Sequence, residues 1–213
     1  MRHLVLLGDS IFDNATYVPG EPDVIEQVFQ QLPDGDRATL LAVDGDIIES
    51  IPRQLETLPE DATHLFISVG GNNALHYASL LDRDMRGFPS MLQAIATMKT
   101  EFGEQYTKML RTVLTYRKPT TLCTIYDQCP LGEPMMSLMM FTILSMLNDC
   151  ITRQAAQHGL PLIDLRLIFT DINDYAAISP IEPSSIGGQK LADRIIHVLR
   201  HHDFSQRRTV CYA

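Results

Sequence analysis

Three residues in the first half of the chain carry groups suited to acyl transfer, and each follows a run of apolar residues. Ser10 has a hydroxyl that becomes a nucleophile once a base takes its proton. Gly45 lets a ligand approach the main chain closely, so its N–H can face a developing negative oxygen. Asn72 offers a neutral side-chain donor for the same oxygen. The alternative at each position is an ordinary turn or helix-end residue, because all three types are common there.

The elements that would position these groups alternate between strand and helix. Short apolar runs predict five strands, at residues 4–7, 38–43, 65–69, 122–125 and 162–165. Helical patterns lie at residues 23–32, 50–58, 90–116, 134–158 and 185–199. This alternation predicts a three-layer α/β/α fold with a five-stranded parallel sheet. Ligands of such sheets bind beyond the carboxyl ends of the strands, where all three candidate residues fall.

Three sequence blocks resemble those of the SGNH hydrolases, also called GDSL-type esterases and lipases. Val5-Leu6-Leu7-Gly8-Asp9-Ser10-Ile11 resembles the first block, Asp44-Gly45 the second and Ser68-Val69-Gly70-Gly71-Asn72-Asn73 the third. The resemblance implies a flavodoxin-like sheet and ester hydrolysis through an acyl-serine intermediate, without a cofactor. It further implies that Ser10 is the nucleophile. The oxyanion hole would combine the backbone N–H groups of Ser10 and Gly45 with the side chain of Asn72.

The last family block, Asp-x-x-His, is altered in this chain. The matching stretch is Ser179-Pro180-Ile181-Glu182-Pro183-Ser184, which places Ser179 at the aspartate position and Glu182 at the histidine position. A glutamate with an ordinary pKa of about 4.3 is a weak base at neutral pH, although burial would raise its pKa. Glu182 is therefore either an atypical base with Ser179 as its partner, or a structural carboxylate or helix cap.

Among the histidines, only His76 is a candidate to replace the missing base, and the alternative for it is a surface or packing role. The sequence has seven histidines, and only His76, four residues after Asn72, lies near one of the three blocks. A base supplied by a neighbouring subunit is a further alternative. In the third block, Asn73 also departs from the family pattern, which usually has aspartate there.

Composition and charge limit the number of domains, the classes of partner and the location that we expect for this protein. The 213 residues suit a single domain, 1–213, with residues 204–213 expected to be a loosely held tail. A net charge of −9 argues against nucleic acid and anionic membranes as partners. No apolar stretch approaches the roughly 20 residues that a membrane span needs, and no secretion signal is evident, so we expect a cytoplasmic protein. The cysteines show no metal or disulfide pattern, and we expect neither metal nor cofactor.

Two functions remain open at this point. The first is an esterase that hydrolyses a small or medium acyl ester, which is a small-molecule substrate, through Ser10. The second is a catalytically weak or inactive binding protein on the same fold, which keeps Ser10, Gly45 and Asn72 as a polar ligand site. The methionine-rich helix at residues 134–158 is expected to pack in the core or to join two copies of the chain.

Overall fold

The computed structural model describes residues 1–81, 88–127 and 134–213. The strands of its central sheet are β1 (His3–Gly8), β2 (Arg37–Leu40), β3 (His64–Ser68), β4 (Thr120–Cys123), β5 (Leu162–Ile163) and β8 (Cys211–Tyr212). Their order across the sheet is β2-β1-β3-β4-β5-β8. All five neighbouring pairs are parallel. The first five strands therefore have the expected flavodoxin-like order.

Two expectations about the sheet need correction. The sheet has six strands rather than five, because the end of the chain adds β8 beside β5. The tail at residues 204–213 is accordingly not loose over its whole length. Leu162 N–H donates to Val210 C=O at 2.9 Å, and Asp164 N–H donates to Tyr212 C=O at 2.8 Å. These bonds occupy the edge of β5 that would otherwise be unpaired.

Helices cover both faces of this sheet. They are α1 (Val24–Gln31), α2 (Ile51–Leu55), α3 (Gly71–Leu81), α4 (Phe88–Thr115), α5 (Pro134–His158), α6 (Leu165–Ile168) and α7 (Ser185–His201). A second, two-stranded antiparallel sheet pairs β6 (Tyr175–Ala176) with β7 (Ser179–Pro183) just before α7. Within the described residues, no helix is both long enough and apolar enough to cross a membrane.

The core lies on the two faces of β1 and its neighbours. Leu4 and Leu6 face one cluster with residues of α1 and α7, whereas Val5 and Leu7 face the other with residues of α2, α4 and α5. Successive strand residues point to opposite faces, so a strand covered on both sides must be apolar at every position. That requirement explains why residues 4–7 read as an uninterrupted apolar run.

Candidate active site

Ser10 lies in a tight turn at the carboxyl end of β1. Gly8 has φ +144°, and a β carbon there would collide with the carbonyl oxygen of Ser68. Asp9 N–H donates to Ser68 C=O at 3.2 Å, and Phe12 N–H donates to Asp9 C=O at 3.1 Å. The turn is thereby fixed against the end of β3. Ser10 itself is buried and lines a pocket.

Asp9 is the residue of this turn whose role the sequence did not indicate. Its carboxyl is buried and accepts hydrogen bonds from the backbone N–H groups of Ile11, at 3.2 Å, and Gly70. Burial raises the pKa of the Asp9 carboxyl to about 7, although those hydrogen bonds favour its charged form. The Asp9 carboxyl thus connects the nucleophile turn to the turn that precedes Asn72. A sequence alone cannot show whether an aspartate beside a nucleophile is buried.

Asn72 lines the same pocket as Ser10, in the first turn of α3. Its side-chain Nδ2 donates to Asp46 C=O at 2.9 Å, which fixes the amide next to the loop after β2. An amide nitrogen carries two hydrogens, so one hydrogen is not used by this bond. The adjacent Asn73 is buried and accepts a hydrogen bond from Ile48 N–H at 3.0 Å. Both asparagines therefore join the third block to the second.

Gly45 occupies the exposed loop after β2, with φ +79°. It does not belong to the pocket lining around Ser10, although Asp46, the next residue, is bonded to Asn72. The contribution of its N–H to an oxyanion hole stays a prediction.

Glu182 is brought to the pocket by β7. Its side chain is buried and lines the pocket together with Ser10. Burial raises the pKa of the Glu182 carboxyl, and the charge of Asp44 raises it further. The nearby hydroxyls of Ser179 and Ser10 act in the opposite direction and lower this pKa. The second carboxyl oxygen, Oε2, has no hydrogen-bond partner.

The helix-cap interpretation of Glu182 is wrong, because the cap of α7 is Ser184. The Ser184 hydroxyl oxygen accepts from Gly187 N–H at 3.1 Å. Glu182 instead stands two residues earlier, on the strand that faces Ser10. Ser10, Asn72 and Glu182 thus line one pocket, whereas Ser179 and Gly45 lie outside its lining.

The pocket is small and mostly apolar. Its free volume is about 60 Å³. Apolar residues of its lining come from five regions of the chain: Ile11, Val69, Ala74, Leu75, Ile125, Met140, Leu144 and Ile181. Its polar lining residues include Asp9, Ser10, Ser68, Asn72 and Glu182. A small, mostly apolar ligand with one polar group fits this lining.

None of the seven histidines, all in the described part of the chain, lines the pocket. His76 is exposed on α3 and packs near the Tyr77 ring, with ring centroids 6.3 Å apart. His3 and His64 are the first residues of β1 and β3, at the opposite edge of the sheet. In the described ranges, no three residues among His, Cys, Asp and Glu are grouped as metal ligands.

The comparisons with known proteins agree with this geometry. Residues 6–187 match the model of the GDSL-like lipase/acylhydrolase family, and the chain belongs to that family. The extracellular lipase of Streptomyces rimosus is similar in structure, with a TM-score of 0.67 and 15% identity, covering 95% of this chain and 100% of that chain. The lipase Lip_vut3 from a goat rumen metagenome is also similar, with a TM-score of 0.71 and 16% identity, covering 92% of this chain and 97% of that chain.

A third similar structure is the acetyl xylan esterase AlAXEase, with a TM-score of 0.67 and 18% identity, covering 92% of this chain and 99% of that chain. Identities this low show a shared fold. A comparison with curated proteins found no match. The family is therefore that of a hydrolase, and the substrate has to be argued from this chain's own residues.

Proposed function

We propose that this protein is a serine esterase that cleaves small or medium acyl esters through an acyl-Ser10 intermediate. The observation that carries the proposal is that Ser10 and Glu182 are both buried and line the same pocket, with the Ser10 hydroxyl near enough to lower the pKa of the Glu182 carboxyl. A nucleophile within reach of a base, beside neutral N–H donors, is the arrangement that acyl transfer requires.

The proposed reaction has two halves. Ser10 Oγ attacks the ester carbonyl carbon while its proton passes to the Glu182 carboxylate. The resulting oxyanion is held by the N–H groups of Ser10 and Gly45 and by Asn72, and its collapse expels the alcohol, which takes the proton from Glu182. A water molecule then attacks the acyl carbon with Glu182 again as base, which releases the acid and restores Ser10.

Ser179 has the supporting role in this proposal. Its hydroxyl favours the ionised form of the Glu182 carboxyl, and in the proposal it orients the base as the aspartate of the usual block would orient histidine. The two residues are three positions apart on β7, whose pairing with β6 is irregular.

The first test compares three variants on a chromogenic short-chain ester such as p-nitrophenyl acetate. Ser10→Ala and Glu182→Gln are expected to lower kcat by about 10²–10⁴-fold, the usual contribution of a general base or more. Glu60→Gln, an exposed glutamate in the turn before β3, is the matched control and should keep full activity. Turnover that survives in Glu182→Gln refutes its role as base.

The binding protein is the second candidate, and the histidine-free pocket favours it. A fluorophosphonate probe separates the two functions, because only an activated serine forms the adduct. Mass spectrometry of the esterase should locate the adduct on Ser10. Absence of both adduct and turnover between pH 5 and pH 9, in a protein that remains folded, would support the binding protein instead.

A further inference from the structure

Gln54 lies on α2, outside the pocket, and its side chain makes three buried hydrogen bonds. Its Oε1 accepts from Gly8 N–H at 2.9 Å. Its Nε2 donates to Gly8 C=O at 2.7 Å and to a carboxyl oxygen of Asp46 at 2.8 Å. Both hydrogens of the amide nitrogen are therefore used, and the residue is almost fully buried.

The place of these bonds in the sheet explains why the chain needs them. β2 stops pairing with β1 after Leu40, while β1 continues to Gly8. Gly8 C=O still receives Val43 N–H at 3.1 Å, but Gly8 N–H has no strand to pair with on that side. Gln54 supplies the missing partner, because a side-chain amide offers the same acceptor and donor as a backbone peptide.

The same side chain bonds directly to the first block and to Asp46, and Asp46 links it to the third block. Gly8 begins the turn that carries Ser10. Asp46 directly follows Gly45, and its backbone carbonyl accepts from the Asn72 amide at 2.9 Å. The bonds therefore run from the nucleophile turn through Gln54 to Asp46 and on to Asn72. Arg53 pairs with the Asp46 carboxylate from the solvent side, at 2.8 Å, and does not contact Gly8.

We propose that Gln54 is a positioning residue that holds the turn of Ser10, the loop of Gly45 and the amide of Asn72 in one arrangement. It touches no reacting atom and acts through Gly8 and Asp46. The expected effect on kcat rests on the proposed esterase function, because displaced oxyanion donors would lower kcat. Displacements of about 1 Å in such sites cost about 10²-fold in rate.

The test compares Gln54→Met with Gln27→Met, the same substitution at two buried glutamines. Gln27 lies on α1 and donates to Ser185 C=O at 2.8 Å, with no bond to the three blocks. On p-nitrophenyl acetate, Gln54→Met should lower kcat by about 10- to 100-fold with little change in KM, whereas Gln27→Met should keep kcat near that of the unaltered protein. Similar kcat losses in both variants would overturn the proposal, because they would reflect general destabilisation.

A second measurement does not depend on turnover. Amide hydrogen exchange should become faster at Gly8 and at residues 43–47 in Gln54→Met, and should stay unchanged there in Gln27→Met. If the unaltered protein hydrolyses no ester, the proposed function fails, and the exchange result still decides whether Gln54 orders the three blocks. Unchanged exchange in Gln54→Met refutes the positioning role, whatever the kinetics.

Discussion

A carboxylate in the position of a catalytic histidine changes the pH at which the nucleophile can be activated. Histidine is half-protonated near pH 6.5, whereas an exposed glutamate is ionised well below that pH and is a weaker base. In this chain, burial and the charge of Asp44 raise the pKa of Glu182. A raised pKa makes the carboxylate a better proton acceptor, as long as the pH is high enough to ionise it.

The pH dependence of kcat/KM should show this base directly. Activity is expected to rise with pH through a midpoint above the ordinary glutamate value of 4.5, since only the ionised form of Glu182 accepts the proton. In Glu182→His, the midpoint should move towards about 6.5. Identical midpoints in the two proteins would assign the rise to another group.

We expect titration of the Asp9 carboxyl to make the free energy of unfolding, rather than the activity, depend on pH. Its folded-state pKa of about 7 exceeds the unfolded value of 3.8, so the folded protein binds the extra proton between these values. Its contribution to stability is therefore greatest below pH 4 and falls as the pH rises to 7, by roughly 4 kcal/mol in total.

Urea unfolding of the unaltered protein and of Asp9→Asn tests the effect. The free energy of unfolding of Asp9→Asn, relative to the unaltered protein, should increase steadily from pH 4 to pH 7. Asp34→Asn, at an exposed turn, is the control. A constant difference across this range would show that Asp9 does not titrate there.

The hairpin of β6 and β7 is the element that brings the proposed base to the nucleophile. Asn14 follows the Ser10 turn and is fully buried. Its Nδ2 donates to Pro183 C=O at 3.1 Å, and its Oδ1 accepts from Val24 N–H at 2.9 Å. One amide therefore sets the distance between the strand of Glu182, the nucleophile turn and the start of α1.

Replacing Asn14 with alanine should damage both folding and catalysis. Two buried backbone groups would lose their partner, so the free energy of unfolding should fall by about 2–4 kcal/mol. Turnover should fall as well, at a urea-free condition where the variant is fully folded. Asn173→Ala, at an exposed position before β6, is the control for chemical denaturation and kinetics. Full activity in folded Asn14→Ala would contradict the positioning of Glu182 through this contact.

Some strands of this fold could be predicted from the sequence and others could not. β1, β3 and β4 are buried on both faces, so their apolar runs and the motifs that follow them were visible in the sequence. β6 and β8 have two residues each, too few for any periodic pattern. The bonds of Gln54 and the burial of Asp9 depend on residues distant along the chain, and no local pattern encodes them.

At the scale of the whole molecule, the dominant property is a net charge of −9. Repulsion among unpaired carboxylates opposes the compact state, and salt screens it, because the screening length falls from about 30 Å at 0.01 M to about 10 Å at 0.1 M. The charge also includes Glu182 in the pocket lining, so if the protein is an esterase, anionic esters should be poor substrates.

Salt should therefore stabilise this protein. Raising NaCl from 10 mM to 150 mM at pH 7 is expected to increase the Tm by a few degrees, roughly what 1 kcal/mol produces in a chain of this size. Differential scanning calorimetry measures the shift, and KCl should give the same result if screening is the cause. A lower Tm in salt would mean that ion pairs outweigh the net repulsion.

The parallel direction of β8 has a practical consequence for handling the protein. Every strand of the main sheet ends at the edge where Ser10 lies, and Ala213, directly after β8, is exposed. A surface linker joined at Ala213 would emerge on the same side as the pocket of Ser10. Met1 is exposed before β1 at the far edge, so a linker joined at Met1 would leave that pocket unobstructed.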